Sequence, residues 1–168
     1  MVIFKGCLMV FVLKRQQNLS MRSDDSTRIE RTILFVCQFN SARSQLAEAL
    51  AKSMAPAGVR ILSAGLTASV VNTEVLRALA EVGIDASAQR SKAIQELACE
   101  PVDDVIVLCE EVCPPVSRLF PRAAVHLWPF PDPIAMKDEH AVGTAVRRVR
   151  DDLAERLKEF LSGRVRCR

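Results

Sequence analysis

The stretch from Ile33 to Leu50, ILFVCQFNSARSQLAEAL, constrains this chain more than any other. Ile33-Leu34-Phe35-Val36 is a short, partly β-branched apolar run, the pattern of a strand buried on both faces. From Arg43 to about Met54 the pattern turns helical, with Leu46, Ala47, Leu50 and Ala51 at helical spacing and Gln45, Glu48 and Lys52 between them. The two are joined by Cys37-Gln38-Phe39-Asn40-Ser41-Ala42-Arg43-Ser44, in which an arginine follows a cysteine six positions later. A strand-to-helix loop can gather successive backbone N–H groups into a nest, and the helix start adds unpaired donors and a positive partial charge. A phosphate-sized oxyanion fits there, with Arg43 offering a planar fork to two of its oxygens. Cys37 is the candidate nucleophile, since the same field favours thiolate over thiol. Gln38, Phe39, Asn40, Ser41, Ala42, Arg43 and Ser44 are the candidate substrate-binding residues. A bare C-x5-R also suits a structural cysteine beside a surface arginine; the flanking strand and helix tip the reading toward function.

Past Pro56 and Gly58, Val59–Leu62 reads as a second strand running into Ser63-Ala64-Gly65. Asn72 is placed to cap a helix over 73–82 that Gly83 stops, and Ser91 to cap another over 92–98. Val105–Leu108 and Ala124–Leu127 are further apolar strands. Between them 110–121 is proline-rich, with Pro114 and Pro115 expected to keep any helix short. A final helix spans 139–161, with Val142, Val146, Val149, Leu153 and Leu157 on its core face. Such alternation implies right-handed crossovers and a parallel sheet covered on both faces. Ligands then sit beyond the carboxyl ends of the strands, where Cys37, Cys109 and Asp132 are expected to meet.

Composition narrows the rest. One domain suits 168 residues with 49% hydrophobic content. A net charge of +3 spread toward the termini, with no recognition motif, argues against a nucleic-acid partner. Met1–Leu13 is apolar but too short to span a bilayer, so no membrane is expected. Residues 1–30 read as an N-terminal extension, flexible or not native, with Met21 a plausible start; 31–162 form the domain and 163–168 a tail. The six cysteines (7, 37, 99, 109, 113 and 167) fit a reducing, cytoplasmic setting better than a disulfide framework. Cys109 and Cys113 have no second pair, and His126 and His140 are the only histidines, so no metal site is expected.

Taken together, ILFVCQFNSARSQLAEAL, the Ser63-Ala64-Gly65 triplet, GIDASAQRSK at 83–92 and WPFPDP at 128–133 resemble the low-molecular-weight protein tyrosine phosphatase superfamily from about Arg31 to Phe160. The arsenate reductase branch, with its C-x-x-N-S-x-R-S-Q-x-A-E string, is the nearest. The resemblance implies an α/β three-layer sandwich with a four-stranded parallel sheet in the order 2-1-3-4. It also implies a reaction. Cys37 attacks arsenate, Arg43 and the loop amides stabilise charge, and Asp132 protonates the departing hydroxyl. Cys109 then releases arsenite and Cys113 resolves the Cys37–Cys109 disulfide. No tightly bound cofactor is implied, only thioredoxin or another thiol as external reductant.

The residues alone leave alternatives open. Asp132, held between Pro131 and Pro133, can be a rigid proton donor or an ordinary turn. On a helix, Cys109 and Cys113 would have Cβ atoms about 5–6 Å apart, against roughly 3.8 Å in a disulfide, so pairing needs local deformation. Three departures matter. The chain has no tyrosine and places Ile134-Ala135 after its Asp-Pro, Ala42 replaces the second loop cysteine of the tyrosine-specific branch, and Phe39 stands where a glycine, or in the reductases a glycine or histidine, is usual. The rivals are a phosphomonoesterase with Cys109 and Cys113 as bystanders, and a non-catalytic anion or redox module in which Phe39 crowds the loop.

Overall fold

A four-stranded, all-parallel sheet in the order β2-β1-β3-β4 organises the protein. The computed structural model describes residues 29–136 and 138–163. The expected N-terminal extension and C-terminal tail lie outside the described residues, save for Ile29, Glu30 and Gly163. The strands are β1 (Arg31–Cys37), β2 (Val59–Gly65), β3 (Asp104–Val107) and β4 (Ala124–Leu127). The helices are α1 (Arg43–Met54), α2 (Thr73–Ala80), α3 (Cys113–Leu119) and α4 (Glu139–Leu161).

The apolar run in β1 is central because no face of it can tolerate water: Ile33, Leu34, Phe35 and Val36 are fully buried, as are Val105, Ile106 and Val107 of β3. Each such side chain contributes about 1.5–3 kcal/mol by leaving water. β4 is an edge strand, with Val125 and Leu127 exposed. The stripe read for α4 is buried at all five positions, and Asp138 caps its start by accepting the His140 N–H. Asn72 caps α2 through Glu74 N–H, and Gly83, at φ 77°, turns the chain just beyond its end.

Four expectations need correction. Only Ile94–Leu97 is helical in 92–98, as a single 3-10 turn. Gly65 N–H donates to Lys92 O and Gly65 bridges Ala93, so both residues are held extended and no helix can start there. Ser91 caps nothing; its hydroxyl accepts from Ser69 N–H and donates to Phe39 O. Pro114 and Pro115 do not limit a helix but begin α3, where first-turn N–H groups lack partners anyway. Finally, Gln45 and Glu48 do not face solvent, because α1 is buried on every side from Arg43 to Ala51.

Candidate active site

Register sets the position of the loop. Cys37, the last residue of β1, lies beside Gly65, the last of β2, and the loop of residues 38–42 leaves from that point. The loop folds back over β2: Leu66 N–H donates to Cys37 O, Thr67 N–H to Gln38 O, and Asn72 N–H to Ser41 O. Gly65 leaves room for this. A Cβ there would sit 2.5 Å from Thr67 O, 2.6 Å from Asn40 N and 2.7 Å from Phe39 C, all backbone atoms that cannot swing aside. Gly65→Ala is therefore expected to lose about 1–3 kcal/mol of stability and to weaken phosphate binding, read by thermal unfolding and calorimetric titration. Unchanged values in both would show that the loop can lift off β2.

Asn40 fixes the loop from inside. It is fully buried and has a left-handed backbone, φ 49°, which asparagine tolerates better than most residues. Its amide makes all four of its hydrogen bonds. Nδ2 donates to Ser44 Oγ and Ser63 Oγ, each at 2.8 Å. Oδ1 accepts from Gln45 Nε2 at 2.9 Å and Lys92 N–H at 2.7 Å. Ser44 Oγ lies 2.9 Å from Cys37 Sγ. Because Asn40 already donates to that oxygen, the serine proton is available to the sulfur.

Behind Asn40, Ser63 donates to the buried Glu48 carboxylate, which also takes Lys52 Nζ at 2.6 Å and Lys92 Nζ at 3.2 Å. Burial opposes charge on Glu48, but these donors prevail and hold its carboxyl below the ordinary carboxylate range. The site thus rests on a charged, hydrogen-bonded support. Gly65, Ser63, Glu48 and Lys92 carried no assigned role in the sequence. A glutamate four residues after Ser44 on a helix was the one signal available, since that spacing puts both on one face.

The floor of the site has donors to spare. Among the described residues, no backbone N–H from Phe39 to Ala42 has a protein acceptor. α1 starts without a side-chain cap and without an acidic residue in its first turn. Arg43 is 8% exposed; its Nη1 donates to Phe130 O and its Nη2 lies 3.3 Å from Asp132 Oδ2. Gln38, Phe39, Arg43, Cys109, Asp132 and their neighbours enclose a cavity of about 780 Å³. Phe39 is exposed and forms a wall of this cavity, which removes the expectation that it crowds the loop.

The other two strands deliver the remaining groups. Leu108 N–H donates to Val36 O, placing Cys109 beside the loop, and Phe130 N–H donates to Leu108 O, bringing the 130–132 segment alongside. Cys109 is buried; burial pushes its thiol up, the nearby charges of Cys37 and Glu111 add to this, and Arg43 and the Gln38 N–H offset it only in part. Cys113 opens α3, half-buried, and does not line the cavity. Cys37, Arg43, Asp132 and Cys109 are therefore together, and Cys113 stands one short turn away. Asp132 Oδ1 also accepts the Ile134 N–H, the turn geometry that was the plainer reading of that residue. Cys99 is exposed, and no cluster able to hold a metal ion occurs among the described residues. No described helix is long and apolar enough to cross a membrane.

Comparison with known proteins agrees with this geometry. Residues 32–166 match the model of the low molecular weight phosphotyrosine protein phosphatase family. An arsenate reductase of Brevibacillus brevis is 37% identical over 134 residues, covering 78% of this chain and 94% of that one. A solved arsenate reductase in its phosphate-binding state is 30% identical, with a TM-score of 0.68 over 79% of this chain and 98% of that chain. An arginine phosphatase of Geobacillus stearothermophilus is 25% identical at the same TM-score, over 79% of this chain and 92% of that one. By fold, motif and sequence, the chain belongs to the low molecular weight phosphotyrosine protein phosphatase family.

Proposed function

We propose that the protein is an arsenate reductase working through a cysteine relay. The observation that carries this reading is the buried Cys109 thiol on the wall of the cavity that Arg43 and Asp132 also line, with Cys113 following at the start of α3. A hydrolase acting through Cys37 alone has no use for a thiol there. The relatives named arsenate reductase support the same choice.

In the first step the Cys37 thiolate attacks arsenic, and one arsenate oxygen leaves as water after protonation by Asp132. Ser44 and Arg43 stabilise charge on the sulfur and the oxyanion respectively. In the second step a Cys109 thiolate attacks Cys37 Sγ. A Cys37–Cys109 disulfide forms, the S–As bond breaks with its electron pair going to arsenic, and arsenite departs. Cys113 then attacks Cys109, freeing Cys37 as a thiolate and leaving Cys109–Cys113 for an external dithiol such as thioredoxin to reduce. Burial pushes the Cys109 thiol up, so its ionisation belongs to the second step rather than the resting site.

The second reading, phosphate-ester hydrolysis through a Cys37 phosphoenzyme, is favoured by the size of the cavity, which far exceeds a tetrahedral oxyanion. Turnover of arsenate and of p-nitrophenyl phosphate, each with and without thioredoxin, separates the two. Reductant-dependent arsenite release is expected to dominate. Ester hydrolysis with no arsenite under any reductant would replace the reductase by the phosphatase.

A further inference from the structure

Between the two relay cysteines lie Glu110 and Glu111. Both are exposed, both line the cavity mouth, and among the described residues neither carboxylate has an ion-pair or hydrogen-bond partner. The 3-10 turn of Glu110–Val112 leads directly into Cys113 at the start of α3. The same cavity is lined by the buried Cys109, so a thiol reaching it through the cavity passes close to these two carboxylates. The site is thus polarised: the Arg43 guanidinium and unpartnered N–H groups on one side, and on the other two exposed carboxylates that have no ion-pair partner among the described residues.

Resting on the relay reading above, we infer that Glu110 and Glu111 are specificity-determining residues for the reductant: they admit thiols that are positive or uncharged near sulfur and repel anionic ones. The step concerned is thiol–disulfide exchange. A donor thiolate attacks one sulfur of Cys109–Cys113, forming a mixed disulfide and releasing the other cysteine as thiolate. A second donor thiolate attacks the donor's own sulfur in the mixed disulfide, giving oxidised donor and the second free cysteine. Two electrons enter, and the reacting donor already carries one negative charge, so further negative charge close to its sulfur meets the rim at the moment of contact. A protein reductant accepted here would present neutral or basic side chains around its attacking cysteine.

The test compares the wild-type chain with Glu110→Gln/Glu111→Gln using cysteamine, 2-mercaptoethanol and mercaptoacetate as sole reductants in arsenate turnover limited by thiol. Taking each rate as variant over wild type cancels the intrinsic nucleophilicity of each thiol. Relative to the 2-mercaptoethanol ratio, the mercaptoacetate ratio should stand about fivefold higher and the cysteamine ratio about fivefold lower, the effect on one added donor charge of two unit charges roughly 8 Å away at a water-like dielectric. The cysteamine thiolate is neutral overall, so its ratio should stay near one, and the other two should fall toward it in high salt. A second readout needs no relay: labelling of Cys109 and Cys113 in Cys37→Ser protein by positive, neutral and negative methanethiosulfonates, followed by peptide mass mapping. Loss of charge bias in the Gln variant supports the filter. No turnover with any thiol, alongside a charge bias in labelling, would sink the relay and leave the filter standing. Equal labelling ratios with and without the two carboxylates would remove the filter, whatever the turnover.

Discussion

Cys37→Ser is expected to bring arsenate reduction and phosphate-ester hydrolysis down together, by roughly four to six orders of magnitude, as loss of a nucleophile does elsewhere. The cysteine has no base to activate it. The one hydrogen-bond partner of its sulfur among the described residues is the Ser44 hydroxyl, which can steady a thiolate but cannot take a proton from an alcohol. Donors at the loop favour a group that is already ionised, and a serine hydroxyl is not. The fold should survive, because the hydrogen bonds of Asn40 and the register of β1 on β2 do not involve the sulfur. Phosphate affinity measured by calorimetry should therefore stay within a few-fold of wild type while both activities vanish. Turnover above a trace in either assay would mean that a different residue makes the first bond.

The second large effect divides the activities. Cys109→Ser is expected to stop repeated arsenate turnover and leave p-nitrophenyl phosphate hydrolysis within a few-fold of wild type, since hydrolysis draws only on Cys37, Arg43 and Asp132. Cys113→Ser should release one arsenite per protein and then stall as a Cys37–Cys109 disulfide, with no third thiol to take it over. Peptide mapping of the stalled protein identifies the bond. Because burial holds the Cys109 thiol up, the wild-type arsenate rate should climb with pH above neutrality while the relay step limits it. Steady arsenate turnover in either serine variant, with thioredoxin supplied, would eliminate the relay and put ester hydrolysis first.

The backbone plan was legible because it follows from short-range signals. Runs of apolar residues marked β1, β3 and β4 to within a residue or two, and the Asn72 cap agrees with its sequence position. What the sequence hid was long-range. Lys92 N–H is tied to Asn40 and Gly65 N–H to Lys92 O, contacts between segments tens of residues apart that override local helical preference. Glu48 looked like a solvated helix residue because nothing in its neighbourhood announces Ser63 and Lys92 as partners. Pro114 and Pro115 misled for a different reason: the same residue that ends one helix can open another, and only the position of α3 decides which. The candidate site was legible as a set of residues, from Cys37 through Arg43 to Asp132, but its support was not.

That support has a consequence for how such a protein can change over generations. Asn40 joins α1, β2 and the segment before the Ile94–Leu97 turn through one saturated amide, so a substitution at 40, 44, 45, 63 or 92 strands the partners of the others. Effects of such changes are strongly non-additive, and these positions can drift only as a group. Phe39, Glu110 and Glu111, by contrast, are exposed at the cavity without side-chain hydrogen bonds among the described residues. Heritable variation can therefore retune what enters the cavity one residue at a time, while the chemistry beneath it stays locked by mutual dependence.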